Sequence, residues 1–237
     1  MVNHFSQFTI SATTATLAVT LLGSSAFAGT LVPQEEGELD VGFGCLETCI
    51  ALPDLISSIE SLTDSTTGAK SRLFVDDVTG SANTYTDGTD TVSFASVDAG
   101  TNSSGFWYRP VDTDEENGQL EVGTFKFTFT KMLSELIVGF FDTERSGETG
   151  VVSINDVAVD DYLAKGPNSN VQSKSFYDVS SITLKLGYDD WTLINGKENT
   201  GDGVNFRLAT AVPEPASVLG LGAVAVLGAL GLRKRSA

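Results

Sequence analysis

Histidine is almost missing from this chain: 237 residues contain one, His4. Cations are scarce as well, since 14 Lys and Arg stand against 31 Asp and Glu for a net charge of −17. A field of that sign repels phosphate, which excludes a nucleic-acid binder. Cysteine occurs twice and tryptophan twice, so neither a disulfide-dense scaffold nor a multi-cysteine metal cluster is available. What is present is apolar: 41% of residues are hydrophobic, too many for a wholly disordered chain. The length supports one substantial core and is short for two large domains.

The scarcity of charge is complete over residues 1–28, which hold no Lys, Arg, Asp or Glu. An apolar run around Leu17, Val19, Leu21 and Leu22 is followed by Ala26-Phe27-Ala28. That small-x-small ending is what a signal peptidase reads, and cleavage is expected after Ala28. The run lacks a preceding Lys or Arg, so its positive start is the α-amine, aided by His4. The competing reading is a packed or disordered N-terminal segment. Cleavage would remove the one histidine, and with it Ser-His-Asp and Cys-His catalysis, histidine-ligated zinc and an imidazole general base.

At the other end Val212, Pro213, Glu214 and Pro215 precede an uncharged stretch over residues 216–232 and then Arg233, Lys234 and Arg235. As a helix, the stretch spans roughly 25 Å against the roughly 30 Å of a bilayer core, a marginal transmembrane anchor. Gly220, Gly222, Gly228 and Gly231 weaken it further. Three terminal cations belong on the cytoplasmic side, leaving the preceding chain outside. A buried helix of the globular part would need a polar face, which this run lacks.

This tail resembles the PEP-CTERM sorting signal of Gram-negative bacteria, in its Pro213-Glu214-Pro215, its glycine- and alanine-rich span and its arginine-rich end. The resemblance implies recognition by an exosortase, a membrane-embedded transpeptidase resembling cysteine proteases. It also implies transient inner-membrane anchoring and delivery to the cell surface or extracellular matrix. It covers about the last 25 residues and is silent on the activity of the part delivered.

Between the ends, residues 29–211 form the expected working domain. Cys45 and Cys49 are four positions apart. In an oxidising exterior they are expected to form a local disulfide, while free or metal-bound thiols are the alternative. The dominant hydrophobic period is two: Ile182, Leu184, Leu186 and Tyr188 alternate with polar residues, as do Val204, Phe206 and Leu208. Such stretches are half-buried strands. Residues 136–141 are apolar on both parities, as in a strand covered on both faces. Within 119–130 the parity changes from Leu120 and Val122 to Phe125, Phe127 and Phe129, which predicts a bulge near Gly123. Val152 and Ile154, then Asn155-Asp156, then Val157 and Val159 predict a hairpin with a two-residue turn. Further strands are expected near residues 72–78, 91–97 and 106–111. Leu55, Ile56, Ile59 and Leu62, after Pro53-Asp54, have helical spacing and predict one short helix. The acidic segment 33–40 is expected to be a flexible lead-in. These elements predict an all-β fold, a β-sandwich of jelly-roll type, with the short N-terminal helix and a C-terminal hydrophobic helix.

Three phrases, Ser104-Gly105-Phe106-Trp107-Tyr108-Arg109-Pro110-Val111, Asn117-Gly118-Gln119-Leu120-Glu121-Val122-Gly123-Thr124-Phe125 and Gly166-Pro167-Asn168-Ser169-Asn170, resemble the cyanobacterial LEVG family of PEP-CTERM proteins. That likeness spans most of residues 40–211 and implies an address without an activity.

Two sets of side chains are candidate binding sites. Trp107, Tyr108 and Trp191 offer aromatic faces for glycan contact, although a core strand with one surface aromatic accounts equally for the first two. Asp112, Asp114 and Glu116, with Glu115 and Asn117, crowd oxygen ligands suited to calcium. The loop fails the EF-hand pattern, since its glycine, Gly118, falls one place late and no glutamate stands at the twelfth position. A solvated acidic turn is the plainer reading. No other cofactor is implied. The partners expected are signal peptidase and exosortase during export, then extracellular polysaccharide. The function expected is that of a non-enzymatic exported surface or matrix protein. A polysaccharide- or calcium-dependent binding module is the alternative. A glycoside hydrolase comes third, because two carboxylates suffice for that chemistry and acids abound, yet no pair stands out.

Overall fold

A computed structural model describes residues 28–77, 82–95, 104–112, 121–188, 193–194, 197–198 and 203–211. Every regular element among them is a β-strand: β1 Ala28–Thr30, β2 Gly37–Leu39, β3 Ile56–Leu62, β4 Arg72–Asp76, β5 Asn83–Thr86, β6 Thr91–Phe94, β7 Trp107–Val111, β8 Gly123–Phe141, β9 Gly150–Ile154, β10 Val157–Tyr162, β11 Val171–Leu186, β12 Leu193–Ile194, β13 Lys197–Glu198 and β14 Asn205–Ala211. All pairings are antiparallel.

The long ribbon of β8 and β11 organises the rest. Along one edge of β8, its first half pairs with β3 (Phe127 opposite Ile59) and its second half with β14 (Phe140 opposite Phe206). Along the other edge it keeps β11, but the register jumps from Val179 opposite Leu133 to Ser181 opposite Thr128. The residues of β8 between those points have too few partners on β11, and such an irregularity bends a strand. One layer is then β10-β9-β11-β8-β3, and the other is β11-β8-β14-β7-β4-β2 with β1 added to β14. The layers meet through aromatic rings: Phe127 of β8 lies 5.6 Å from Tyr108 of β7 and 5.7 Å from Phe206 of β14, centroid to centroid. The architecture is all-β and consistent with a β-sandwich; neither barrel closure nor a jelly-roll topology is shown.

A second, smaller core lies on the outer face of the second layer. The β5–β6 hairpin lays Tyr85 and Phe94 on Phe74 of β4, at 4.8 and 5.1 Å, and Leu46, Val92 and Val111 complete it. Strands β4 and β7 are thereby covered on both sides, and each of the five residues of β7 is buried.

Several sequence expectations are corrected. Residues 56–62 are strand, not helix. A register shift between Ile56 and Ser58 adds one residue to β3, so Ile56 and Ile59 both point inward, three positions apart. The bulge mimics helical spacing. The parity change before Phe125 involves no bulge at Gly123, which pairs regularly with Leu186; it occurs in the turn at Glu121, whose φ is +70°. The apolar stretches at 125–129 and 136–141 belong to one strand of 19 residues. The acidic lead-in is also structured: Glu38 lies in β2, 1% exposed, because Arg72 supplies its counter-charge at 2.6 Å. The expected hairpin is present, with Asn155 and Asp156 at φ +52° and +62°, the left-handed pair that a two-residue turn between twisted strands requires.

Candidate functional site

The two ends of the sandwich lie side by side. In the β1–β14 ladder Ala28 is opposite Ala211 and Gly29 opposite Thr210. The expected cleavage point and the residue preceding Val212 are therefore cross-strand neighbours, and the chain enters and leaves the fold at one place.

The aromatic residues of β7 are not available to a ligand. Trp107 is 1% exposed; its indole N–H donates to the Ser104 carbonyl at 3.2 Å, and the Arg207 guanidinium lies 4.7 Å from its ring centroid. Tyr108 is fully buried, stacked 5.0 Å from Phe206, with its hydroxyl donating to the Leu31 carbonyl. Burial pushes that phenol well above its ordinary pKa. The glycan-contact reading of Trp107 and Tyr108 is thus corrected: β7 is an interior strand with no free face. Its neighbour Arg109 is wholly buried and bonds Asp76 at 2.8 Å and Glu121 at 2.9 Å, with its guanidinium 4.8 Å from the Phe94 ring. The two ion pairs tie β7 to β4 and to the turn before β8, and the contact with Phe94 is the one that reaches the covering hairpin.

A groove does open beside this small core. It has a volume of about 240 Å³, and its lining includes Phe43, Lys70, Arg72, Asp90 and Asp112, with the buried Val92 and Val111 behind them. Its most constructed feature is Phe43, a ring left 44% exposed on a tight turn. The Asp40 carboxylate accepts the N–H groups of Gly42 at 2.9 Å and Gly44 at 3.0 Å. Those bonds, that from Gly42 foremost, hold the Asp40 pKa below its ordinary value. Gly42 and Gly44 have φ of +103° and +79°, a region that glycine enters without steric cost. Directly after the turn, Cys45 and Cys49 are joined as a disulfide with Cα atoms 5.5 Å apart. Glu38 fastens the loop underneath, accepting the Leu46 N–H at 2.6 Å and Arg72 Nη1 at 2.6 Å, and Arg72 lies 5.3 Å from the Phe43 ring centroid.

Of the calcium candidates, Asp112 follows β7 and lines this groove, while Asp114 and Glu116 lie outside the described residues. Among the described residues no three His, Cys, Asp or Glu side chains come together as a metal site. Trp191, Ala26, Val212, Pro213, Glu214, Pro215, Arg233, Lys234 and Arg235 also lie outside the described residues, as does the apolar stretch 216–232. Among those described, no helix is long and apolar enough to cross a membrane. Sequence reasoning missed Phe43, Lys70, Arg72 and Asp90. The legible signal was Gly42-Phe43-Gly44, an aromatic residue between two glycines just before a cysteine loop.

Residues 211–236 match the PEP-CTERM protein-sorting motif. That motif marks the chain for export and for sorting by an exosortase. No curated protein matches the chain, and no solved structure does.

Proposed function

We propose that this chain is a non-enzymatic β-sandwich that signal peptidase releases after Ala28, the segment 216–232 holds briefly in the inner membrane, and an exosortase delivers to the cell surface or extracellular matrix. The observation that carries the reading is the sorting motif at 211–236. The ladder that puts Ala28 opposite Ala211 supports the division into residues 1–28, 29–211 and 212–237: both addresses would leave the sandwich at one point, and removing them would spare the residues of its core. Arg233, Lys234 and Arg235 would keep the chain end cytoplasmic. The absence of histidine after position 4 supports a role without imidazole chemistry. The LEVG likeness of residues 40–211, and the cyanobacterial source it implies, belong to the same proposal.

The test is fractionation of a host that carries an exosortase, comparing the unaltered chain with Glu214→Gln and with a deletion of residues 233–235. The unaltered chain is expected outside the inner membrane at reduced mass, and both variants in the inner-membrane fraction with the tail intact. Equal distribution and mass for all three, or the same export from a host without exosortase, would contradict the proposal.

A further inference from the structure

We propose that the bend of the β8–β11 ribbon, which exposes Lys131, Met132 and Tyr177, lies against the lipid headgroup surface while the segment 216–232 holds the chain in a membrane. The contact rests on the anchoring proposed above and adds to it the face of the sandwich that meets lipid. The first ground is where the chain leaves the fold. Thr210 stands opposite Leu136 and donates its hydroxyl to the Glu135 carbonyl at 3.0 Å, so β14 ends at Ala211 beside the bend. Glu135 in turn stands opposite Tyr177, which places Tyr177 two strands, about 10 Å, from the exit. Met132 is three residues further along β8, about another 10 Å.

The second ground is the length of the tether. Residues 212–215 alone separate Ala211 from the uncharged stretch. Fully extended, the steps from Ala211 to residue 216 reach at most about 18 Å, and the headgroup layer occupies about 5–8 Å of that. The sandwich therefore cannot stand clear of the lipid, and the end that carries Ala211 is the end that meets it.

The third ground is what that end presents. Met132 is 61% and Tyr177 67% exposed, large side chains left in water within reach of a bilayer. A tyrosine suits the headgroup layer, where its ring is apolar and its hydroxyl wet, and a methionine adapts to irregular apolar surroundings. Lys131, exposed beside Met132, lays its stem along such a surface and keeps its ammonium among the phosphates. Cleavage after Ala28 would add an α-amine at Gly29, opposite Thr210. Asp54, Glu135 and Asp178 stand at the same end, so the surface has no preference for anionic lipid, and a zwitterionic headgroup layer is the partner it fits.

The test is hydroxyl-radical footprinting, read by mass spectrometry, of the full chain inserted in phosphatidylcholine vesicles. The comparison is the full chain carrying Val224→Asp and Leu227→Asp, charges that keep the stretch out of lipid. The unaltered chain is expected to float with the vesicles, and its Met132 and Tyr177 to oxidise about threefold or more slowly than in the variant. Phe43 serves as the internal reference. Leu39, shortly before its turn, faces Leu73, and Leu73 faces Pro110, toward the start of β14 and away from Ala211, so Phe43 should oxidise alike in both chains. Flotation with equal oxidation of Met132 and Tyr177, or with equal slowing at Phe43, would overturn the contact and leave the anchoring intact. If the unaltered chain does not float, or the variant floats equally well, anchoring by 216–232 fails and the contact with it.

Discussion

At Arg109 a full positive charge lies out of water beside Asp76 and Glu121. Removing one partner from such a set leaves the others buried without compensation, which costs more than the assembled set contributes. Arg109→Met is therefore expected to destabilise the sandwich by about 3–5 kcal/mol in urea unfolding. Adding Asp76→Leu should recover part of that loss. Asp142 makes the opposite point. Burial, reinforced by Glu144 nearby, raises its pKa above the ordinary 3.8 although the Ser169 N–H bond at 2.5 Å pulls the other way. A carboxyl whose folded pKa is raised contributes stability below its unfolded pKa and loses it as pH rises through the folded value. Asp142→Asn, which keeps the oxygen acceptor and tolerates the φ of +66°, should raise Tm at neutral pH. The gain should vanish below pH 3.8, as calorimetry across that range would show.

Among the elements, β9 and β10 leave no room for a side chain at Gly150. A Cβ there would meet the Asp161 carbonyl oxygen at 2.5 Å and Tyr162 Cα at 2.6 Å, because β10 bulges between Ala158 and Asp161. Backbone cannot swing aside as a side chain does, so Gly150→Ala is expected to lower stability by about 1–3 kcal/mol in the same unfolding measurement. Bulges also explain what was and was not legible in the sequence. Alternation at Ile182, Leu184 and Leu186, and the Asn155-Asp156 turn, identified their strands directly because the ladder there follows local rules. At β3 one extra residue turned alternation into apparent helical spacing. In β8 the inward set passes from Phe125, Phe127 and Phe129 to Leu136, Val138 and Phe140, so one strand looked like two. The first half of β11, with polar outward residues Ser173 and Ser175, carries too weak an alternation to declare itself. Glu38 and β7 were misread for another reason: Arg72 is 34 positions from Glu38, and the hairpin over Arg109 arrives from an earlier part of the chain, so neither partner is visible locally. The candidate groove was illegible for the same cause, since Phe43, Arg72, Asp90 and Asp112 stand far apart in the chain and share a groove only in the fold.

For the whole molecule, a covered core of packed rings, one disulfide and a net charge of −17 accompany a sorting motif that marks the chain for export. The account rests on both termini being addresses that are read and removed, with the sandwich between them as the delivered part. Intact-mass spectrometry of material recovered from the exterior of an exosortase-bearing host tests this directly. The account predicts a chain that begins at Gly29 and lacks Arg233, Lys234 and Arg235; a chain confined to the cytosol that retains both Met1 and Ala237 would contradict it.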